Sequence, residues 1–256
     1  MKLIMENWKK FLTEAANSNP DNLDCVRDPK YRKGLTSRTM GYDVENFKNC
    51  LEQAGWKFLA SGTFRMVFEV PGEPNQILKI TRPSRNPGIG MKMNKKEASK
   101  EYQESSPLAL KVLQNEKNYF WIIPEKANII NKWEDLQIWF PAWMALVKEG
   151  ILKANNFKEF YKEFIKKDFL TNKQKRINVA KKIEKIGDWS KITSQKEKLI
   201  KIANLFNEPM FEHIRDFLIK SKTKSWDVIP ENVGFVIRNG KKQFVIVDPS
   251  YDTRTP

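Results

Sequence analysis

Ser225-Trp226-Asp227-Val228-Ile229-Pro230-Glu231-Asn232-Val233-Gly234 is the stretch on which the rest of the chain turns, followed after a short polar turn by Phe244-Val245-Ile246-Val247-Asp248-Pro249-Ser250. Asn232 stands five positions after Asp227, and Asp248 ends a short apolar run that reads as a strand. A carboxylate, a carboxamide and a second carboxylate are hard oxygen donors, suited to a small divalent cation and to orienting a hydroxyl proton. Each alone is better explained as an N-cap, a turn asparagine or a strand-end turn. Their order, behind two features upstream, points to chemistry.

The first upstream feature is Leu59-Ala60-Ser61-Gly62-Thr63-Phe64-Arg65-Met66-Val67, a glycine turn between two strand-like runs. The second is Gln76-Ile77-Leu78-Lys79-Ile80, which sets a lysine in a short apolar strand. A lysine there is ordinarily an edge residue or a snorkelling stem. Here it sits behind a glycine turn and ahead of the Asp/Asn loop.

These motifs resemble those of the protein-kinase-like superfamily, over about residues 55 to 130 and 210 to 252. They are most similar to the compact kinases made early in infection by short-tailed coliphages. The resemblance implies an α+β, bilobal fold with a small antiparallel β-sheet N-lobe and a truncated, rearranged helical C-lobe. The expected boundaries are a helical leader and arm over 1–54, the N-lobe over 55–128 and the C-lobe over 129–256.

The resemblance also implies ATP and Mg²⁺ as cofactors. Asp227 would orient the attacking hydroxyl and Lys79 would neutralise phosphate oxygens, while Asn232 and Asp248 would hold the metal. Ser61, Gly62, Thr63 and Phe64 would cover the phosphates, and Glu125 and Ala127 would take the adenine edge where the lobes connect. Lys79 needs a carboxylate to hold it. Glu97 is the expected partner, with Glu101 one turn later as its rival and Glu104 weaker.

Several residues depart from the pattern. Ala60 and Arg65 replace two glycines, which stiffens the turn. Ser225 and Trp226 replace histidine and arginine, Ile229 a lysine, and Pro249-Ser250 the Phe-Gly pair. Only Ser250 to Pro256 follow, leaving no room for an activation segment, so regulation by loop phosphorylation is not expected. The expected activity is phosphoryl transfer to a serine or threonine of a host or phage protein. Two alternatives stay open: a catalytically silent kinase-like binding module, and a small-molecule kinase.

The chain carries 46 Lys/Arg against 31 Asp/Glu, a formal net charge of +15. The excess is concentrated between Ile151 and Lys201, with fifteen basic against six acidic residues. Such a face suits nucleic acid, an acidic protein, or only solvent. Ile138 to Val147 is too short to span a bilayer and is broken by Pro141, so no membrane partner is expected. No apolar segment follows the start, which argues against secretion. Cys25 and Cys50 are too few for a disulfide framework, and a reducing interior, the host cytoplasm, is the natural compartment. The lone His213 excludes a histidine-rich metal centre and lies beside an apolar stripe, as a structural residue would.

Met1 to Glu14 reads as a short amphipathic helix through Trp8, Phe11 and Leu12. It packs on the body or, given Leu12-Thr13-Glu14, resembles the cleavable capsid-targeting peptides of phage head proteins, which would put the protein in the virion. Asn17 to Thr39 reads as a loop or arm. Further helices are predicted from Asp43 to Gly55, around Asn94 to Tyr102, across Lys132 to Gly150, over Phe157 to Ile165, after the capping box Ser194-x-x-Glu197 with Leu199, Ile202, Ala203 and Phe206 on one face, and from Pro209.

Overall fold

The computed structural model describes residues 19–29, 44–62, 64–82, 87–130, 133–165, 169, 172–223, 228 and 232–247. The protein is α+β and divides into two compact units. Among the described residues, the first holds those from 19 to 105 together with 110–126; the second holds 106–109 and those from 127 to 247.

The first unit is built on a five-stranded antiparallel sheet in the order β1 (Lys57–Ser61), β2 (Arg65–Val70), β3 (Glu73–Thr81), β5 (Trp121–Pro124), β4 (Val112–Asn115). Gly72, at φ +75°, makes the turn between β2 and β3 in a conformation that other residues rarely adopt. Strand alternation sends Met66, Phe68, Val70, Leu78, Ile80, Trp121 and Ile123 to one face, where all are buried.

That face is covered by α1 (Asp24–Arg27) and α2 (Val44–Gln53), through Leu23, Val26, Phe47 and Leu51. The described residues between 19 and 53 are grouped with this unit. Part of the expected loop is ordered by its own polar residues. Asn19 accepts a hydrogen bond from the Asp21 amide at 2.9 Å, Pro20 opens a 3₁₀ turn, and Asp21 receives the Trp121 indole N–H at 2.9 Å.

The cysteines correct an expectation. Packing α1 and α2 on one face brings Cys25 and Cys50 to a Cα separation of 6.3 Å, and they form a disulfide. The expectation of a reducing interior rested partly on two cysteines being too few for a disulfide framework; the single bridge is no framework, but it gives that compartment no support. No helix among the described residues is long and apolar enough to cross a membrane.

The opposite sheet face carries α3 (Pro87–Gln103), which connects β3 to β4. Asn94, Ala98 and Glu101, spaced three and four apart, are buried on its inner side. The Asn94 side-chain amide donates to Thr81 Oγ1 at 2.5 Å and to the Tyr119 carbonyl at 3.1 Å.

The second unit packs α4 (Pro141–Lys148), α5 (Phe157–Phe164), α6 (Lys173–Ile186), α7 (Gln195–Phe206) and α8 (Pro209–Lys220) with a three-stranded sheet of β6 (Asn128–Ile129), β7 (Val233–Arg238) and β8 (Lys241–Ile246). Its core is aromatic: Phe140, Trp143, Phe157, Tyr161, Phe164 and Phe211 interlock, and the Phe164 and Phe211 rings stack at 4.6 Å. Asn239 and Gly240, at φ 53° and 71°, make the two-residue turn between β7 and β8.

Two buried charges fix the helices. Glu208 Oε1 accepts from the Ala142 and Trp143 amides at 2.7 and 3.0 Å, capping α4, whose N-cap Phe140 offers no side-chain acceptor. Burial pushes the Glu208 carboxyl above its usual range, against the opposing pull of those two amides. Arg215 donates to the Phe164 carbonyl at 2.8 Å, at the end of α5, and burial lowers its affinity for the proton.

Candidate functional site

In the first unit the candidate residues lie on the sheet face beneath α3. Val67 pairs with Lys79 and Arg65 with Thr81 across β2 and β3, so Arg65 and Lys79 are diagonal neighbours on one face. Both side chains are buried, at 10% and 5% exposure, a state charged groups occupy only with partners. The partners come from α3. Lys79 Nζ donates to Glu101 Oε2 at 3.4 Å, and Arg65 Nη2 donates to Glu101 Oε1 at 2.7 Å and to Glu97 Oε2 at 3.3 Å.

Two cations and two carboxylates thus share one buried site. Glu101, the expected rival, bonds the Lys79 ammonium here, and Glu97, the expected partner, receives the Arg65 guanidinium. Sequence could not separate them, because four residues of helix preserve the face and shift a side chain by only about 6 Å along the axis. Arg65 was read only as a lost glycine. Its charge, two residues past the turn and ahead of a helix that carries Glu97 and Glu101, was the signal for this role.

The turn preceding Arg65 is tight. The Gly62 amide donates to the Arg65 carbonyl at 2.8 Å, and Arg82 donates its guanidinium to the Gly62 carbonyl at 3.0 Å. The Gly62 amide is thereby engaged within the turn. Ser61 and Gly62 are exposed and Phe64 is half-buried. A Cβ on Gly62 would meet the Arg65 carbonyl oxygen at 3.7 Å, an ordinary contact, so local packing does not demand glycine there. Thr63 lies outside the described residues.

Glu125 is tied to β4. Its amide donates to the Lys111 carbonyl at 3.0 Å, and its carboxylate accepts from the Lys111 amide at 2.9 Å. Ala127 belongs to the second unit, half-buried beside Asn128 at the start of β6. The two are therefore divided between the units.

In the second unit Asn232 immediately precedes β7, and its carbonyl accepts from the Val247 amide at 2.8 Å. Val233 pairs with Ile246 in the same register. Gly234 is required by packing: a Cβ there would fall 2.6 Å from the Asn128 carbonyl oxygen of β6. Val228 is fully buried in the aromatic core. Asp227 and Asp248 lie outside the described residues, as do Ser225, Trp226 and Ile229 of the same motif and Leu12-Thr13-Glu14 of the leader.

No family model, curated protein or solved structure matches this chain.

Among the described residues no group of three or more His, Cys, Asp or Glu side chains is placed to hold a metal ion. His213 is exposed on α8. The basic segment contains α6, which the sequence reading did not single out. Asn172 caps it by accepting from the Lys175 amide at 3.0 Å; Val179 and Ile183 are buried while Lys173, Arg176, Lys181 and Lys185 are exposed. Part of the neighbouring charge is neutralised, through Lys182–Glu159 at 3.0 Å and Lys198–Glu184 at 3.4 Å.

Proposed function

We propose that this chain is an ATP- and Mg²⁺-dependent phosphotransferase of bilobal, protein-kinase-like fold, similar to the compact phage kinases, acting on a serine or threonine hydroxyl of a host or phage protein. The observation that carries the reading is the buried Lys79–Glu101 pair, a β3 lysine held by a glutamate of the helix that follows β3. An ammonium fixed this way is suited to phosphate oxygens, because its carboxylate limits its rotamers. The sheet order β1-β2-β3-β5-β4 with that helix between β3 and β4 agrees with an N-lobe of this class.

Two further observations support it. Gly62 is not needed for its own backbone or packing, which leaves a ligand approaching the turn as a reason for glycine. Asn232 and Val247 are hydrogen-bonded neighbours, and the chain continues from Val247 directly to Asp248. Asn232 and Asp248 supply oxygen ligands of the kind magnesium takes, and Mg²⁺ on the triphosphate would offset charge as the γ-phosphoryl group leaves. Asp227 would orient the attacking hydroxyl and accept its proton.

The test is a panel of proteins and small molecules with γ-labelled ATP, using the wild-type chain and Lys79→Met, Asp227→Ala and Asp248→Ala. Labelled acceptor from the wild type only is expected. Labelling retained by all three variants overturns the reading.

A second reading has its own observation, the exposed Lys173, Arg176, Lys181 and Lys185 of α6. It makes the chain a binding module for nucleic acid or an acidic protein. Binding that weakens steeply with salt, without ATP turnover, favours it.

A further inference from the structure

Arg65 stands where the turn of the resembling family carries its last glycine, and the structure uses it for something a glycine cannot do. From strand β2 its Nη2 reaches two carboxylates of α3 at once, Glu101 at 2.7 Å and Glu97 at 3.3 Å. Glu101 divides its carboxylate, giving Oε1 to Arg65 and Oε2 to Lys79. The pair that would hold ATP phosphates is therefore braced by a second cation from the neighbouring strand.

We infer that Arg65 is a positioning residue that clamps α3 onto the sheet and keeps Glu101 in place for Lys79 without any activating event. The inference rests on the phosphotransferase reading for its consequence, though not for its geometry. In kinases the lysine–glutamate pair must be in place for catalysis, and helix placement is where activity is controlled. Here the brace is internal to the unit. An arginine suits it because guanidinium is always charged and carries several donors on one rigid plane. The Glu101 bond is buried and the Glu97 bond part-buried, so little salt screening reaches the first. The consequence is a site that is assembled constitutively.

The experiment compares wild type with Arg65→Met and Arg65→Lys by two readouts: hydrogen exchange of the α3 amides, and steady-state phosphoryl transfer with ATP varied. Arg65→Met is expected to lose about tenfold or more in α3 protection and about tenfold in kcat. Arg65→Lys is expected to recover both only in part, because an ammonium keeps the charge but lacks the rigid guanidinium plane that reaches both carboxylates.

A merely structural arginine would lower Tm in Arg65→Met while leaving kcat, KM and α3 exchange at wild-type values. That outcome overturns the inference. So does a gain in transfer, which would mean that Arg65 competes with Lys79 for Glu101. If Arg65→Met does not fold, Arg65→Gln, which keeps a donor without charge, takes its place with the same expectation. If the wild type transfers no phosphate to any acceptor, the parent reading fails by itself. The clamp is then judged on exchange alone, and loss of α3 protection in Arg65→Met supports it while retained protection overturns it.

Discussion

The backbone amide of Val247 donates to the carbonyl of Asn232 at 2.8 Å, so the residue before β7 and the residue after β8 lie side by side although fifteen positions separate them. The hairpin turn at Asn239-Gly240 sets this register, and the pairing of Val233 with Ile246 continues it.

Asn232→Ala removes the carboxamide and keeps the carbonyl that bonds Val247, so the hairpin should survive. Phosphoryl transfer should fall by about a hundredfold or more, with the Mg²⁺ dependence moved to higher concentration. Asp248→Ala should do the same. A magnesium titration of initial rates checks this, and an unchanged Mg²⁺ midpoint in both variants removes Asn232 and Asp248 as ligands.

Gly62→Ala separates ligand approach from folding. The added methyl meets only the Arg65 carbonyl at 3.7 Å, and the smaller freedom of the unfolded chain should leave stability unchanged or raise it by about 0.4–1 kcal/mol. If phosphates approach the turn, KM for ATP should rise by about tenfold in this stable variant. Thermal melting beside ATP kinetics gives both numbers. A wild-type KM would show that nothing comes close to Gly62.

Cys25→Ser should cost about 3 kcal/mol, the entropy regained by an unfolded chain freed from a cross-link between residues 25 apart. Urea denaturation measures it. The wild type in reductant should unfold at nearly the same midpoint as the variant, and a wild-type midpoint indifferent to reductant would show that the disulfide contributes nothing.

Glu208 gives a pH dependence of defined sign. Burial raises its folded pKa above the unfolded value, so the protonated form is favoured on folding and its contribution is full below the unfolded pKa and lost as pH rises through the folded pKa. Glu208→Gln keeps an Oε1 acceptor for the Ala142 and Trp143 amides and removes the charge. At neutral pH it should match or exceed wild-type stability, with the difference closing in acid. Glu208→Ala should lose about 1–2 kcal/mol with the cap. Denaturation midpoints between pH 4 and pH 8 decide it, and a Glu208→Gln deficit that grows with pH would reverse the sign.

Much of the first unit was legible from local pattern. Phe47 and Leu51 ahead of Gly55 announced α2, and the turns at Gly62 and Gly72 separated β1, β2 and β3. In the second unit, Ser194 opens α7 as its capping box required, accepting from the Glu197 amide at 3.4 Å. The face read on α7 is only partly the one that packs: Ile202, Leu205 and, in part, Phe206 are buried while Leu199 and Ala203 are exposed. Steps of three and four are both helical, so the neighbours decide which stripe faces inward. β4 and α6 were passed over for a related reason, since Val112–Asn115 presents little apolar surface and α6 buries only Val179 and Ile183.

By itself the sequence determined the β1–β3 hairpins, several helix starts and which oxygen and nitrogen groups are available for chemistry. Those depend on turn residues, caps and periodicity, all of which act within a few positions. Tertiary structure alone decided that Glu101 takes both Lys79 and Arg65 while Glu97 also reaches Arg65, that Cys25 reaches Cys50, and that Glu208 caps a helix 66 residues before it. Each of these joins groups far apart in the chain, and their choice of partner depends on the packing of α3, α1 and α4 against their neighbours.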